Sequence, residues 1–419
     1  MLSIIINAYA CSPNMGSEPG MGWNWCVNLA NYCELHIITE EEFRDKIEEV
    51  LPTLPQGKNM HFYYNSVSKD VRKMCWNQGD WRFYYHYEKW QKRTLEMAKE
   101  ICSKHKIDIL HQLNMIGFRE PGYLWKLEDI PFVWGPVGGM ELMPIGFISQ
   151  APLKQKIIAR LKNTINNYQR KRQDRVVRAL NQAEILVAAT KGAYDFIKSY
   201  HKKDVVLINE TGCYIDEKIS LEGTSSVVND CLELIWVGKF DFRKQLNIAI
   251  CTIAELKGLN INLNIVGTGS DEQIESYKSL AKMLGVEDKI TWHGQINHSR
   301  VQSLMRSCDL FFFTSIMEGT PHVVLEAIGN NLPVLCFNSC GQGDSVNDTV
   351  GAKVEISTPK QAIKEFSQEI LSLYNNRNKL KIMSKNCLNR QQELSWDSKA
   401  KQMVDLYHKA IDNYQRGNK

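Results

Sequence analysis

The sequence predicts an α/β protein built from two doubly wound, Rossmann-like domains, and three observations carry that prediction. The chain has 419 residues, 43% hydrophobic and 23% charged, too long for one ordinary core and too well mixed for disorder or a fibrous repeat. Apolar runs of strand length alternate with helical periodicity through both halves, the rhythm of parallel sheets covered on both faces. Between the two series, Asp216–Asp230 reads DEKISLEGTSSVVND, polar and turn-rich, and neither periodicity holds there. The expected division is an N-terminal domain over 1–215, a C-terminal domain over 216–390, and a last helix within 391–419.

The first series of strands comprises Leu2–Ala8, Glu34–Thr39, Ile107–Leu113, Phe132–Trp134 and Ile185–Ala189. The second comprises Leu232–Val237, Asn262–Val266, Ile290–Trp292, Leu310–Thr314 and Pro333–Phe337. In Ser395–Tyr414, Trp396, Met403, Leu406, Tyr407 and Ala410 recur at amphipathic-helix spacing, and this helix is expected to pack back across the domain junction. Met1–Ala10 reads MLSIIINAYA, with no basic n-region and with Asn7 breaking the apolar run, so a buried strand is expected rather than a signal peptide. The longest apolar stretch, Leu310–Met317, is far short of the roughly 18–20 residues a spanning helix needs. A cytosolic protein without transmembrane helices is expected. Its 12 cysteines are scattered without a CxxC pair, and Cys336 and Cys340 lack a second ligand pair at zinc-finger spacing. That usage predicts reduced, mostly buried thiols.

Formal net charge is +4, from 51 basic and 47 acidic residues, so the overall balance demands no nucleic-acid partner. The balance hides a local excess. From Ala151 to Leu180 nine basic residues (Lys154, Lys156, Arg160, Lys162, Arg170, Lys171, Arg172, Arg175 and Arg178) face a single acid, Asp174, so that this segment carries +8 and the remainder −4. Ile157, Ile158, Leu161 and Ile165 interleave at helical spacing, which suits a helix lying on an anionic membrane surface, on the inner face. A solvated face over an ordinary core helix is the other reading. Trp76–Trp90 sets Trp81, Phe83, Tyr84, Tyr85 and Tyr87 among charges, as an interfacial or acceptor-binding element would.

Three constellations have the residue types for chemistry. Directly after the first strand, Gly16 opens GSEPGMGWNW, with Ser17, Glu18, Gly20 and Gly22 before a helix running to about Asn31. Glycines permit close backbone approach, and the amides of a helix start favour an anion, so a phosphate or polar substrate fits; a tight turn without ligand also fits. After Leu310–Thr314 comes Ser315-Ile-Met-Glu318-Gly-Thr-Pro-His-Val-Val-Leu-Glu326, with Pro321 suited to a first helical turn. Glu318 then lies in the loop and Glu326 about 7–8 Å along the axis at ~1.5 Å per residue, with a pyrophosphate able to sit between them on the N-terminal amides. The plain alternatives are a dipole-complementing charge and a solvated face residue. After Leu232–Val237, Gly238-Lys239-Phe-Asp-Phe-Arg243-Lys244 places basic side chains at the carboxyl end of a sheet, where they can neutralise a diphosphate or form a solvated turn. Companion loops carry Gly267 and Gly269, then His293 and Gly294.

Glu318 to Glu326 matches the Glu-x7-Glu signature of the retaining GT-B glycosyltransferases of the family 4 type (glycosyl transferases group 1). With the loops at Gly238–Lys244 and Gly267/Gly269 and the GSEPGMGW segment in the expected order, nearly the whole chain resembles that family, most specifically over Leu232–Val354. The resemblance implies a GT-B fold whose domains face a central cleft, with a nucleotide-sugar donor held by the C-terminal domain and a glycan or lipid-linked acceptor by the N-terminal one. It implies a hexosyltransferase in cell-surface polysaccharide or glycolipid assembly. Carried over by position, Glu326 binds the ribose hydroxyls, and Glu318 with the backbone at Gly319, Thr320 and Pro321 faces the donor sugar. Lys244, helped by Arg243 or Lys239, holds the diphosphate; Gly238, Gly267 and Gly269 line the donor site, with His293 and Gly294 near the base. The Gly16–Gly22 loop approaches phosphates or acceptor once the domains close. Many members carry Arg at the position of Lys239, so the clamp is shared differently here. The histidine many members carry after the strand near Phe132 is absent, since the sequence reads FVWGPVGG through Gly138 and Gly139. His111 is then either a substitute on the acceptor side or a buried structural histidine. No Asp-x-Asp triplet occurs, in keeping with that family's usual independence of a catalytic metal, and no other cofactor is implied. A catalytically silent relative that binds a glycan or scaffolds an assembly is the alternative.

Overall fold

The computed structural model describes residues 1–77, 80–148, 153–214 and 230–417. The chain divides into two compact units. Met1–Met140, Ile165–Thr211 and Trp396–Lys419 form the first, and Glu141–Thr164 with Gly212–Ser395 the second. The division is discontinuous, where the sequence suggested a single cut at 216; of the polar stretch Asp216–Asp230, all but Asp230 lies outside the described residues. Glu141–Thr164 joins the second unit because Phe147 packs edge-on against Phe337 at 5.7 Å between ring centroids within that core.

The first unit has a parallel sheet of seven strands: β1 (Leu2–Ala8), β2 (Cys33–Glu40), β3 (Met60–Asn65), β4 (Ile109–Asn114), β5 (Phe132–Val137), β6 (Ala183–Ala188) and β7 (Val205–Leu207), in the order β3-β2-β1-β4-β5-β6-β7. The second has six: β8 (Leu232–Val237), β9 (Ile261–Val266), β10 (Ile290–Gly294), β11 (Leu310–Phe313), β12 (Val334–Phe337) and β13 (Gly351–Val354), ordered β10-β9-β8-β11-β12-β13 and again parallel. Both sheets are doubly wound, so each has one point where strand order reverses, between β1 and β4 and between β8 and β11. Ligands of such sheets bind beyond the strand ends at that point.

Central strands form where the sequence is apolar without alternation, because helices cover both faces. Leu310-Phe-Phe-Phe313 in β11 is buried throughout, and Phe312 and Phe337 both meet Phe366 edge-on, at 5.1 and 4.8 Å. Each fully buried phenylalanine contributes about 1.5–3 kcal/mol. The last helix, Trp396–Gly417, belongs to the first unit: Trp396 stands edge-on to Trp25 at 5.8 Å, and the buried Lys399 ammonium donates to the carbonyls of Asn209 (3.1 Å) and Thr211 (2.6 Å). None of the 12 cysteines forms a disulfide, and each is buried or half-buried.

Candidate functional site

At the switch point of the second unit, two loops are stitched into one surface. After β8, the Asp241 carboxylate accepts from the amides of Arg243 (2.8 Å) and Lys244 (3.2 Å) and pairs with the Arg243 guanidinium at 3.2 Å, tightening Phe242–Lys244 into one 3₁₀ turn. Gln245, at φ +50°, turns the chain into the helix Leu246–Glu255. After β11, the Thr314 hydroxyl donates to the carbonyl of Lys244 (2.8 Å) and accepts from the Trp236 indole (2.9 Å), while Ile316 N–H donates to Arg243 O at 2.9 Å. These bonds fix Lys244 opposite Glu318. Its Nζ lies 2.7 Å from Glu318 Oε1, with both side chains only 15% exposed, and 4.9 Å from the Phe313 ring centroid. Ser315 Oγ donates to the same carboxylate oxygen at 2.7 Å. Arg243 and Lys239 are exposed at the rim, and neither side chain reaches Glu318.

The neighbouring glycine loops owe their composition to close backbone approach. Gly267 has φ +140°, and a Cβ there would stand 1.8 Å from Gly238 O. Only glycine fits. Gly238 N–H bonds Val266 O at 3.0 Å and Gly267 N–H bonds Gly294 O at 2.9 Å, so the ends of β8, β9 and β10 hold one another. A Cβ on Gly269 would meet Gln273 Oε1 at 2.5 Å, where Gln273 closes the capping box of Asp271–Leu284 and donates to Phe240 O. His293 is half-buried and its Nε2 lies 2.8 Å from Asn264 Oδ1. Burial, then the Arg300 charge, lowers its pKa, which keeps the ring neutral and donating to that oxygen.

Glu326 and Glu318 have different partners. Glu326 lies in the helix His322–Gly329, with Pro321 at its N-cap rather than in the first turn, and its carboxylate accepts from Gln302 Nε2 at 3.1 Å and lies 3.4 Å from His298 Nε2. His298 and Gln302, one helical turn apart in His298–Ser307, were not marked by the sequence reading; their i, i+4 spacing was the signal. Ser315 and Asp241 were likewise passed over, being common residues at a strand end and a turn. Gly319 O accepts from Gly341 N–H at 3.0 Å, and the Gln342 amide donates to Ser315 O at 3.1 Å, bracing the loop that carries Glu318, Gly319, Thr320 and Pro321.

In the first unit the structure corrects one expectation and bears on a second. The segment from Gly16 to Gly22 is not a loop: the helix begins at Ser17 and runs to Leu29. Its glycines allow the helix to lie against backbone, since a Cβ on Gly20 would stand 1.9 Å from Met15 O and one on Gly22 2.4 Å from Ala10 O and 2.9 Å from Asn114 Nδ2. Glu18 still reaches the switch point, accepting from Ile116 N–H at 2.8 Å just past β4. Burial, opposed by that hydrogen bond, pushes its carboxyl up to about 7. His111 is fully buried in β4, with Nδ1 2.7 Å from the Tyr407 hydroxyl and Nε2 2.7 Å from Gly135 O. Burial lowers its pKa to about 4. Both ring nitrogens are committed inside the protein, as the buried structural reading of His111 requires. Gly138 bonds Ile116 and Phe118 through its backbone, and Gly139, at φ +76°, is exposed beside it.

Among the described residues no group of three or more His, Cys, Asp or Glu could hold a metal ion. At the second switch point the Lys244 ammonium is paired with the Glu318 carboxylate.

Comparisons with known proteins bear on the family and the fold. Residues 226–390 match the family model described as Glycosyl transferases group 1. Protein CapJ of Staphylococcus aureus is 34% identical over 121 residues, which cover 28% of this chain and 29% of that one. The chain spans half or less of the length of several curated relatives it matches. The solved sucrose-phosphate synthase from Thermosynechococcus elongatus superposes over 98% of this chain and 100% of its own, with a TM-score of 0.60 at 14% identity. Anabaena HepE, solved in complex with UDP, covers 97% of this chain and 99% of its own with a TM-score of 0.58 at 13% identity. The fold is GT-B.

Proposed function

With a GT-B fold and a glycosyl transferases group 1 domain over residues 226–390 as premise, we propose that this protein is a retaining, metal-independent hexosyltransferase of the family 4 type, moving a sugar from a nucleotide-sugar donor to a glycan or lipid-linked acceptor in cell-surface polysaccharide or glycolipid assembly. The Lys244–Glu318 pair at the switch point of the second unit carries the reading. The first unit takes the acceptor and the second the donor.

In this reading the donor diphosphate displaces Glu318 from Lys244. The ammonium then faces the phosphate oxygens, with Arg243 and Lys239 adding charge from the rim, and the released carboxylate accepts hydroxyls of the donor sugar beside Gly319, Thr320 and Pro321. Glu326, with His298 and Gln302 about it, takes the ribose hydroxyls, and Gly238, Gly267, Gly269, His293 and Gly294 line the nucleotide. In transfer, the bond from the anomeric carbon to the phosphate oxygen breaks and its electron pair leaves with the phosphate. The acceptor oxygen bonds the anomeric carbon from the same face, and its proton passes to the departing phosphate. Lys244 stabilises the negative charge that develops, and a preorganised cation of this kind is a main catalytic contribution.

Because one such electrostatic partner is worth about 10²–10³ in turnover, Lys244→Gln is expected to lower kcat at saturating donor about 10²-fold in protein that is still folded, with the urea midpoint falling only as far as an unpaired Glu318 charge requires. Equal turnover by the variant removes Lys244 from the reaction. An inverted product anomer, read by proton NMR, excludes the retaining mechanism.

A further inference from the structure

The helix Leu153–Arg172 is turned the wrong way round for a surface helix of a globular protein. At 100° per residue, Leu153, Ile157, Ile158, Leu161, Ile165 and Tyr168 fall within an arc of about 140°, and Asn163, Asn166, Asn167 and Arg170 within about 100° on the other side. The polar side is the one that faces protein. Asn163 exchanges two hydrogen bonds with the Met143 backbone, both at 2.9 Å, Asn166 Oδ1 accepts from Arg119 at 2.7 Å, and Arg170 donates to Met140 O at 2.7 Å. The apolar side is left outside, with Leu153 72%, Ile157 59%, Leu161 58% and Tyr168 63% exposed. Ile158 and Ile165, at 43% and 46% exposed, are only half covered, so the fold gains little from these six residues.

Lys154 lies within the stripe and Arg160 and Lys162 flank its two margins, while Lys156 falls on the polar side. Lys154, Lys156, Arg160 and Lys162 make no ion pair among the described residues, whereas Arg170 and Arg175 of the same basic segment are engaged inside the protein, Arg175 with Glu120 at 2.8 Å. The one acid, Asp174, pairs with Arg178. An apolar stripe that ends in the exposed Tyr168, with cations able to snorkel at its margins, matches a bilayer interface. A second copy of this chain would bring the same positive segment against itself.

We propose that the outer face of Leu153–Arg172 is a bilayer-docking surface, seating on anionic lipid headgroups with Leu153, Ile157, Leu161 and Ile165 among the upper acyl carbons. The helix lies flat. No described helix is long and apolar enough to cross a membrane. Docking is a property of this helix and does not depend on the reaction proposed above.

The test is flotation of the full chain with phosphatidylcholine vesicles, plain or containing about 30 mol% phosphatidylglycerol. At low salt the anionic vesicles are expected to bind at least about tenfold more protein, and raising salt to about 0.5 M to remove most of that difference. Ile157→Glu with Leu161→Glu is expected to cut binding at least about tenfold with an unchanged melting temperature, and the milder Leu161→Gln to cut it less. Changing Lys154, Lys156, Arg160 and Lys162 to Gln removes the salt-dependent part. The proposal is overturned if the wild-type chain stays with the soluble fraction, if the glutamate variant floats like the wild type, or if the chain is a dimer that Ile157→Glu splits and that ignores vesicles.

Discussion

Lys244 and Glu318 neutralise each other at 2.7 Å in a place with 15% exposure, so neither charge is idle and neither is deeply committed. An ion pair at this depth gives little net stability, because desolvation offsets most of its attraction. It can be exchanged for a ligand's charges at small cost. His111 is the opposite case. With both nitrogens bonded inside β4 and its pKa lowered to about 4, it stays neutral while the unfolded chain's histidine takes a proton near the ordinary value of 6.5. Below that value the unfolded state binds more protons, so the stability due to a neutral His111 is whole at pH 7 and falls as pH drops from 6.5 towards about 4. His111→Gln deprives Tyr407 or Gly135 of a good partner, but it also removes this proton linkage. The variant is expected to be less stable than the wild type at pH 7 and to close part of that gap at pH 5, as read by urea midpoints. An equal gap at both values would mean that His111 titrates as if exposed.

The helix Ser17–Leu29 shows what an element requires of its neighbours. Gly20 and Gly22 leave no room for a methyl group against Met15 and Ala10 backbone oxygens, so close backbone contact alone is enough to require glycine at both positions. Overpacking of this kind costs about 1–3 kcal/mol, and Gly20→Ala is expected to lower the urea midpoint accordingly, with any loss of substrate binding following from the displaced helix start. A variant of unchanged stability that binds ligand poorly would return these glycines to a binding loop. This helix start was illegible in the sequence because Ser17-Glu18-Pro19-Gly20 has the composition of a turn, and only tertiary contact makes it helical. Three of the four edge strands were missed for a related reason, β10 alone having been read from Ile290–Trp292. Among β3, β7 and β13, flanking only one neighbour, the tyrosines of β3 and all of Val205–Leu207 are half-exposed, and Gly351-Ala-Lys-Val354 is short and mixed. Strands buried on both faces, such as Leu310–Phe313, announced themselves through unbroken apolar runs. At the site, residue type marked Lys244, Glu318 and Glu326, but the bonds from Asp241, Thr314 and Ser315 that bring the first two together are tertiary and leave no local pattern.

At the scale of the whole molecule, two sheets of the same winding sit in one chain, and the group 1 match covers only residues in the second unit. A chain of two units need not unfold in one step, and this makes the place of donor binding measurable. A ligand that binds only the native second unit raises that unit's stability by about 2.7 kcal/mol at a hundred times its Kd. For a unit of this size, at about 2–4 °C per kcal/mol, that corresponds to a rise of roughly 5–11 °C in its midpoint. A panel of nucleoside diphosphates and their sugars, scanned by calorimetry, is therefore expected to contain at least one that lifts the second unit's transition more than the first's. Hydrogen exchange with the same ligand is expected to slow most at 238–245, 267–269 and 315–326. Glu326→Ala should shrink the shift severalfold by weakening the hold on the ribose, whereas a solvated face residue could be removed without effect. Protection confined to 16–22, or a panel in which no nucleotide moves either transition, would place the donor elsewhere and leave the Lys244–Glu318 pair as an ordinary ion pair between two loops.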